Sequence, residues 1–342
     1  MQKIRIGIIG TGMAWERLHR PAYERLGDRF LITAVCERDQ EKAAQTADAL
    51  GVPREQIYYD YKQMMQSAAF DALDIMVPIA KNYEITMAAI ENNISFICEK
   101  PYAESPEKAK KLIAAAKGKE LAILVAENFR YAGENIIIKN LLNQNAIGNV
   151  MYFIDNNVRD FYAEKDANNF SAKEWRQHPA FKGGVFLDSA VHHIARHRFL
   201  FGDVQEVFAT GVPSKDDFCE YNCITGLLAF KNNITGHYAY FNQGVESQLP
   251  KVGLRIFGTD GEIYLEEKMC GCVNYTLKTG ESKQIYYTPD GGYYNELVNF
   301  HAALTENAPV ISTPEKELGD IETIFDILRA VETGEKVIAS NH

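Results

Sequence analysis

Over roughly its first 125 residues the chain alternates short apolar runs with longer stretches whose apolar residues recur every three or four positions. The apolar runs are 3–9, 30–36, 72–77, 94–98 and 121–126. Between them, helical periodicity covers 41–50, 61–67, 82–92 and 106–117, and one further helix opens after Gly12 and is broken or kinked before Pro21. Gly51, Pro53 and Pro78 supply stops. Strands with little polar alternation are strands buried on both faces. Joined through helices, they predict a parallel, doubly wound sheet.

The rhythm changes near Glu127. A helix over 131–144 and a long strand over 150–159 lead into a polar, aromatic loop, 160–182, and a helix over 184–201. Strand patterns then follow one another at 204–212, 221–230, 234–241, 251–257, 262–266, 272–278 and 283–287. Turn clusters such as Lys231-Asn232-Asn233 and Gly258-Thr259-Asp260-Gly261 separate them. Helices over 293–306 and 314–333 close the chain. The prediction is an α/β domain on a doubly wound parallel sheet, 1–126, followed by an α+β domain, 127–342, built on a predominantly antiparallel sheet.

Composition adjusts this picture only at its edges. A chain of 342 residues, 46% hydrophobic, has material for two cores. No apolar run approaches the ~20 residues of a membrane span, and the N-terminus runs straight into a strand without a signal-peptide cleavage region. The expected location is the cytoplasm. Six scattered cysteines, half of them in strand-like runs, fit buried reduced thiols there. Cys219-x-x-x-Cys223 and Cys270-x-Cys272 lack paired C-x-x-C knuckles, so no metal is expected. A net charge of −10 without a basic block argues against a nucleic-acid partner.

The chemistry collects where strands end. Gly10-Thr11-Gly12 follows the first strand and opens a helix; Gly10 permits a tight turn and Gly12 lets backbone N–H groups approach a pyrophosphate. Trp15 stands where the fingerprint's third glycine usually falls. Glu37, 25 residues after Gly12, ends the second strand, where a carboxylate accepts from ribose hydroxyls and repels a 2′-phosphate. NAD is therefore expected ahead of NADP, although Arg38 beside it is able to stack on adenine or pair with a 2′-phosphate. A parallel sheet binds ligands beyond its carboxyl ends. Val77-Pro78 and Glu99-Lys100-Pro101 lie at such ends, and Pro101 restricts Lys100 to extended backbone.

Gly7 to Gly12, His19-Arg20-Pro21-Ala22 and Glu99-Lys100-Pro101 together resemble the glucose–fructose oxidoreductase/inositol dehydrogenase family, Gfo/Idh/MocA. The resemblance continues through Asn128-Phe129-Arg130, Gly183-Gly184, Asp188-x-x-x-His192 and Phe257-Gly258-Thr259-Asp260-Gly261, and so spans nearly the whole chain. It implies a hydride transfer between NAD(P) and a carbinol or carbonyl of a sugar, inositol or related polyol. Lys100 would touch nicotinamide and substrate and hydrogen-bond the reacting oxygen. His192 would be the general acid/base. Asp188, four residues earlier on the same helix face, would bind a neighbouring hydroxyl or orient His192. The expected cofactor residues are Gly10, Thr11, Gly12, Met13, Ala14, Glu37, Arg38, Val77, Pro78, Glu99, Lys100 and Asn128. Trp175, Arg176, Arg159 and His237 are substrate candidates.

His193 and His197 are also four apart, without a third metal ligand at convincing spacing. The chain departs from the family pattern at Ile79 and Asn82, at Ala190 and at Ala195. These changes leave Lys100, Asp188 and His192 in place and bear on substrate identity. Two other readings share the fold: a redox-neutral, NAD-dependent glycosidase, and a dinucleotide-sensing regulator. An open sheet face also predicts a homodimer or homotetramer through the C-terminal sheet.

Overall fold

The computed structural model describes residues 3–67, 69–161, 168–243 and 253–339. It divides into two compact units, Met1–Glu127 with Tyr293–Leu318, and Asn128–Gly292 with Gly319–His342.

The first unit holds six strands: β1 (Ile4–Ile9), β2 (Phe30–Cys36), β3 (Ile57–Tyr58), β4 (Ala72–Ile75), β5 (Ser95–Glu99) and β6 (Ile123–Ala126). Every pairing is parallel, in the order β3-β2-β1-β4-β5-β6. The order reverses between β1 and β4, the crevice where open α/β sheets take their ligands. The connecting helices are α1 (Arg20–Arg25), α2 (Gln40–Leu50), α3 (Tyr61–Met65), α4 (Ile79–Glu91) and α5 (Pro106–Ala116). Local chemistry sets their ends. Asp39 caps α2 by accepting from the Lys42 N–H, and Gly51 closes it at φ 68°. The break expected before Pro21 is a π-turn, Trp15–His19, inside a continuous helical stretch. Trp15 is buried there, its ring centroid 5.9 Å from that of Tyr23.

The tail departs from the expected division, which gave all of 127–342 to the second domain. Helix α9 (Tyr293–Glu306) packs in the first unit through Leu297 and Phe300. The Arg25 guanidinium lies 4.1 Å from the Tyr294 ring centre, and Ser312 accepts from the Val125 N–H at 3.0 Å, prolonging the edge of β6. An edge strand left open by the sequential βα units is thereby covered.

In the second unit, α6 (Gly133–Asn143) and β7 (Val150–Val158) precede a short helix α7 (Glu174–Gln177) and the long helix α8 (Gly184–Phe201). Then come β8 (Val204–Pro213), β9 (Tyr221–Phe230), β10 (Thr235–Phe241), β11 (Leu254–Gly258), β12 (Gly261–Leu265), β13 (Cys272–Leu277) and β14 (Ser282–Tyr286). Helix α10 (Pro314–Thr333) and β15 (Val337–Ile338) complete the chain. The sheet runs β14-β13-β12-β11-β7-β10-β9-β8-β15. It is antiparallel except where β7 and β10 pair in parallel. Residues 162–167 of the expected loop and 251–252 of the expected strand lie outside the described residues.

One face of this sheet carries the core: Phe153, Leu228, Tyr238 and Ile256 meet Phe186, Leu187 and Ile194 of α8 and Ile327 of α10. Each such side chain contributes about 1.5–3 kcal/mol by leaving water. The opposite face stays open, with Tyr152, Phe208 and Leu227 exposed at 43%, 43% and 55%. Among the described residues no helix is long and apolar enough to cross a membrane.

Candidate functional site

Strand alternation and parallel pairing bring Gly10–Gly12, Glu37, Val77 and Glu99-Lys100 to the carboxyl edge of the first unit's sheet. Gly10 has φ 89°, and a Cβ there would lie 2.2 Å from the Met76 carbonyl oxygen. Only glycine lets β1 turn this close to β4. At Gly12 a Cβ would meet nothing within 4 Å, so the loop is open on that side, as a pyrophosphate cradle requires.

Glu37 braces this loop. One of its oxygens accepts from the Thr11 N–H and hydroxyl, both at 3.1 Å; the other accepts from the N–H groups of Arg38 (2.8 Å) and Asp39 (3.3 Å). Burial opposes its charge, but these four donors outweigh burial and hold the carboxyl below its ordinary range. Glu37 is therefore anionic where a ribose would sit, and the Thr11 hydroxyl is a rotatable partner that a ribose hydroxyl can replace. The glycine turn and the anionic Glu37 fit a dinucleotide.

Lys100 follows β5, and the Lys100–Pro101 bond is cis. The fully buried Asn82 of α4 donates from one amide nitrogen to the carbonyls of Glu99 (2.8 Å) and Pro101 (2.9 Å). Each bond contributes about 1 kcal/mol net, and each buried carbonyl left unpaired would cost about 1–3 kcal/mol. His19, also buried, bridges Asp74 (Nδ1 to Oδ2, 2.8 Å) and Glu99 (Nε2 to Oε1, 3.1 Å). Burial disfavours its charge, yet Asp74 and Glu99 together prevail and keep the imidazolium well above its usual range. Glu296 of α9 is fully buried in the same unit. Burial, with Glu99, Asp74 and Glu127 adding to it against His19, raises its carboxyl well above its ordinary range.

In the second unit the residues gather on α8. Its start demands two glycines: Gly183 at φ 86° and Gly184 at φ 46°, where a Cβ would lie 2.2 Å from the Phe218 carbonyl oxygen. Asp188 in the second turn is ion-paired with Arg176 of α7, Nε to Oδ2 at 2.5 Å. The Arg176 guanidinium lies 4.1 Å from the Trp175 ring centre. The Arg159 guanidinium donates to the Ser189 hydroxyl and, at 3.1 Å, to Ser171. Trp175, Arg176 and Arg159 are thus assembled around Asp188 and its neighbour. One turn further, the His192 ring stacks on Phe129, centroids 4.8 Å apart and planes at 19°.

The other two histidines face the sheet. His193 Nδ1 lies 3.0 Å from the Tyr238 hydroxyl, and His197 Nε2 lies 2.5 Å from Asp155, which Arg196 also grips at 2.6 Å. They tie α8 to β7 and β10. His237 is not brought to α8. Its side chain is exposed on the open face, opposite Leu227 and Ile154, because strand period two puts Tyr238 on the helix side instead. Asn128 is buried in the second unit and donates to the Gly291 carbonyl at 2.6 Å.

Residues 4–127 match the family model for the oxidoreductase family, NAD-binding Rossmann fold, and residues 139–338 match that for its C-terminal alpha/beta domain. The chain belongs to the Gfo/Idh/MocA oxidoreductase family. This Gfo/Idh/MocA protein is 26% identical to an uncharacterized protein of Saccharomyces cerevisiae, over 100% of this chain and 97% of the relative. It is 25% identical to the D-xylose 1-dehydrogenase (NADP+) of Haloarcula marismortui, over 96% of this chain and 91% of that one. Among solved structures it is similar to an oxidoreductase of Thermotoga maritima, with a TM-score of 0.85, 26% identity and 98% of each chain covered. It is an NAD(P)-dependent oxidoreductase.

Sequence patterns left His19, Asp74, Asn82, Glu296 and Phe129 without roles at the site. Asp74 did carry a mark: it is the one charge inside the apolar run of β4. A buried carboxylate needs a partner, and His19 is 55 residues away in sequence.

Proposed function

We propose that this enzyme transfers hydride between NAD, in preference to NADP, and a carbinol carbon of a sugar or related polyol, with Lys100 and His192 as its working groups. The observation that supports it best is the shared strand edge, which presents the Glu37-braced glycine turn and Lys100 on one side of one sheet. Bound NAD(P) supplies the hydride acceptor or donor. Lys100 donates a hydrogen bond to the reacting oxygen and favours its alkoxide character. His192 takes the hydroxyl proton during oxidation and returns it during reduction. Phe129 holds the His192 ring in its plane. Asp188 fixes Arg176, and Arg176, Trp175 and Arg159 offer donors and an apolar surface to the remaining hydroxyls.

The preference for NAD rests on repulsion between the Glu37 carboxylate and a 2′-phosphate. Glu37→Ser is expected to raise the NADP:NAD ratio of kcat/KM by about ten-fold or more, read from initial rates with both dinucleotides. An unchanged ratio would remove Glu37 as the selector.

The open face of the second unit's sheet pairs with a second copy of the chain. Its apolar residues, Tyr152, Phe208 and Leu227, are joined by Ile154 and Phe257 on neighbouring strands, a patch of the kind monomers seldom leave in water. Leu227→Lys with Phe208→Lys should convert a sedimenting dimer or tetramer into monomer. Wild type that sediments as a monomer at micromolar concentration would end this proposal.

A further inference from the structure

The end of β5 is held from two sides by side chains to which the chemistry above assigns nothing. On the backbone side, Asn82 bridges the carbonyls of Glu99 and Pro101, the residues flanking Lys100. A single amide nitrogen has two N–H bonds, and both are spent on this one stretch. On the side-chain side, His19 stands between Asp74 and Glu99. Each ring nitrogen is engaged by a carboxylate oxygen, and the two contacts together fix the orientation of the ring. Asp74 is fully buried within β4. The carbonyl before Lys100, the carbonyl after it and the preceding carboxylate are therefore each tied to a buried group on α4 or on the π-turn.

We propose that Asn82 and His19 are positioning residues for Lys100: Asn82 sets its backbone by bridging the two flanking carbonyls, and His19, anchored on Asp74, sets the adjoining Glu99. The inference rests on the reading that Lys100 works at the dinucleotide edge. Neither residue need touch cofactor or substrate. Both act by removing slack from the lysine's attachment, and a displacement of about 1 Å at a reacting group is able to cost about a hundred-fold in rate.

The test uses the whole protein and NADH, and it reads Lys100 directly. Lysine acylation by acetic anhydride is followed by mass spectrometry with and without saturating NADH, alongside NADH affinity from fluorescence titration. In wild type, NADH should slow acylation of Lys100 by about ten-fold or more. In Asn82→Ala and in Asp74→Asn, which leaves the His19 ring but weakens its anchor, that protection should shrink to about two-fold or less, with NADH affinity changed by less than about three-fold. Should Asn82→Ala fail to fold, Asn82→Ser, which keeps one donor, should lie between wild type and Asp74→Asn. A purely structural role would lower the melting temperature and leave protection intact. Full protection in every folded variant overturns the proposal. Absence of protection in wild type would instead overturn the reading of Lys100 itself.

Discussion

Replacing Lys100 by methionine is expected to lower kcat/KM by about a thousand-fold or more, while NAD(H) affinity changes by less than about three-fold. Methionine keeps an unbranched apolar stem, one atom shorter, and removes the charge and all three donors. The groups proposed to grip the dinucleotide, Gly10–Gly12 and Glu37, are untouched, so binding should survive. In the proposed role of Lys100, what is lost is a hydrogen bond that strengthens as the oxygen becomes alkoxide. One such donor is worth about 10²–10³ in rate in a water-poor site, and a cationic donor is worth more. Initial rates and a fluorescence titration on the same preparation separate the two effects. A Lys100→Met enzyme with near-normal turnover removes Lys100 from the chemistry.

His192→Asn should lower kcat by about 10²–10⁴, the usual contribution of a positioned acid/base. Asparagine fills the place beside Phe129 and can hydrogen-bond, but it does not exchange a proton near neutral pH. The residual oxidation rate should therefore climb with pH as hydroxide takes over, and lose whatever inflection wild type shows on its acid side. Helix α8 should be undisturbed, because its ties to the sheet run through His193, Arg196 and His197. A residual rate close to wild type, with the wild-type pH profile, would place the proton elsewhere.

Much of the fold was legible because its strands obey simple periods. The five apolar runs of the first unit fall on β1, β2, β4, β5 and β6. Parallel pairing then puts Glu37 and Lys100 at one edge without further information. The strand list of the second unit was equally readable, but its order was not. Pairing of β7 with β10 and β11 joins segments about eighty or more residues apart, and no local pattern encodes such a partner. The return of α9 to the first unit is a long-range event of the same kind. His237 shows a third limit: both faces of β10 carry apolar residues, so period two alone did not say which face the helix would cover. The Asp188–Arg176 pair is only twelve residues apart, yet an irregular segment separates the two and hides the contact from periodicity.

Hydride transfer at the Lys100 edge is the step on which the proposed function depends. Its most direct measurement is a screen of aldoses, anhydro sugars, inositols and their oxo forms with NAD(H) and NADP(H), following the absorbance of reduced nicotinamide in wild type and Lys100→Met. Such transfer predicts a stoichiometric change in that absorbance with at least one sugar or polyol, faster with NAD(H) than NADP(H), and lost in Lys100→Met despite retained dinucleotide binding. A wild-type enzyme that binds dinucleotide and releases a leaving group from a glycoside with no net absorbance change, or a Lys100→Met enzyme as fast as wild type, would contradict it.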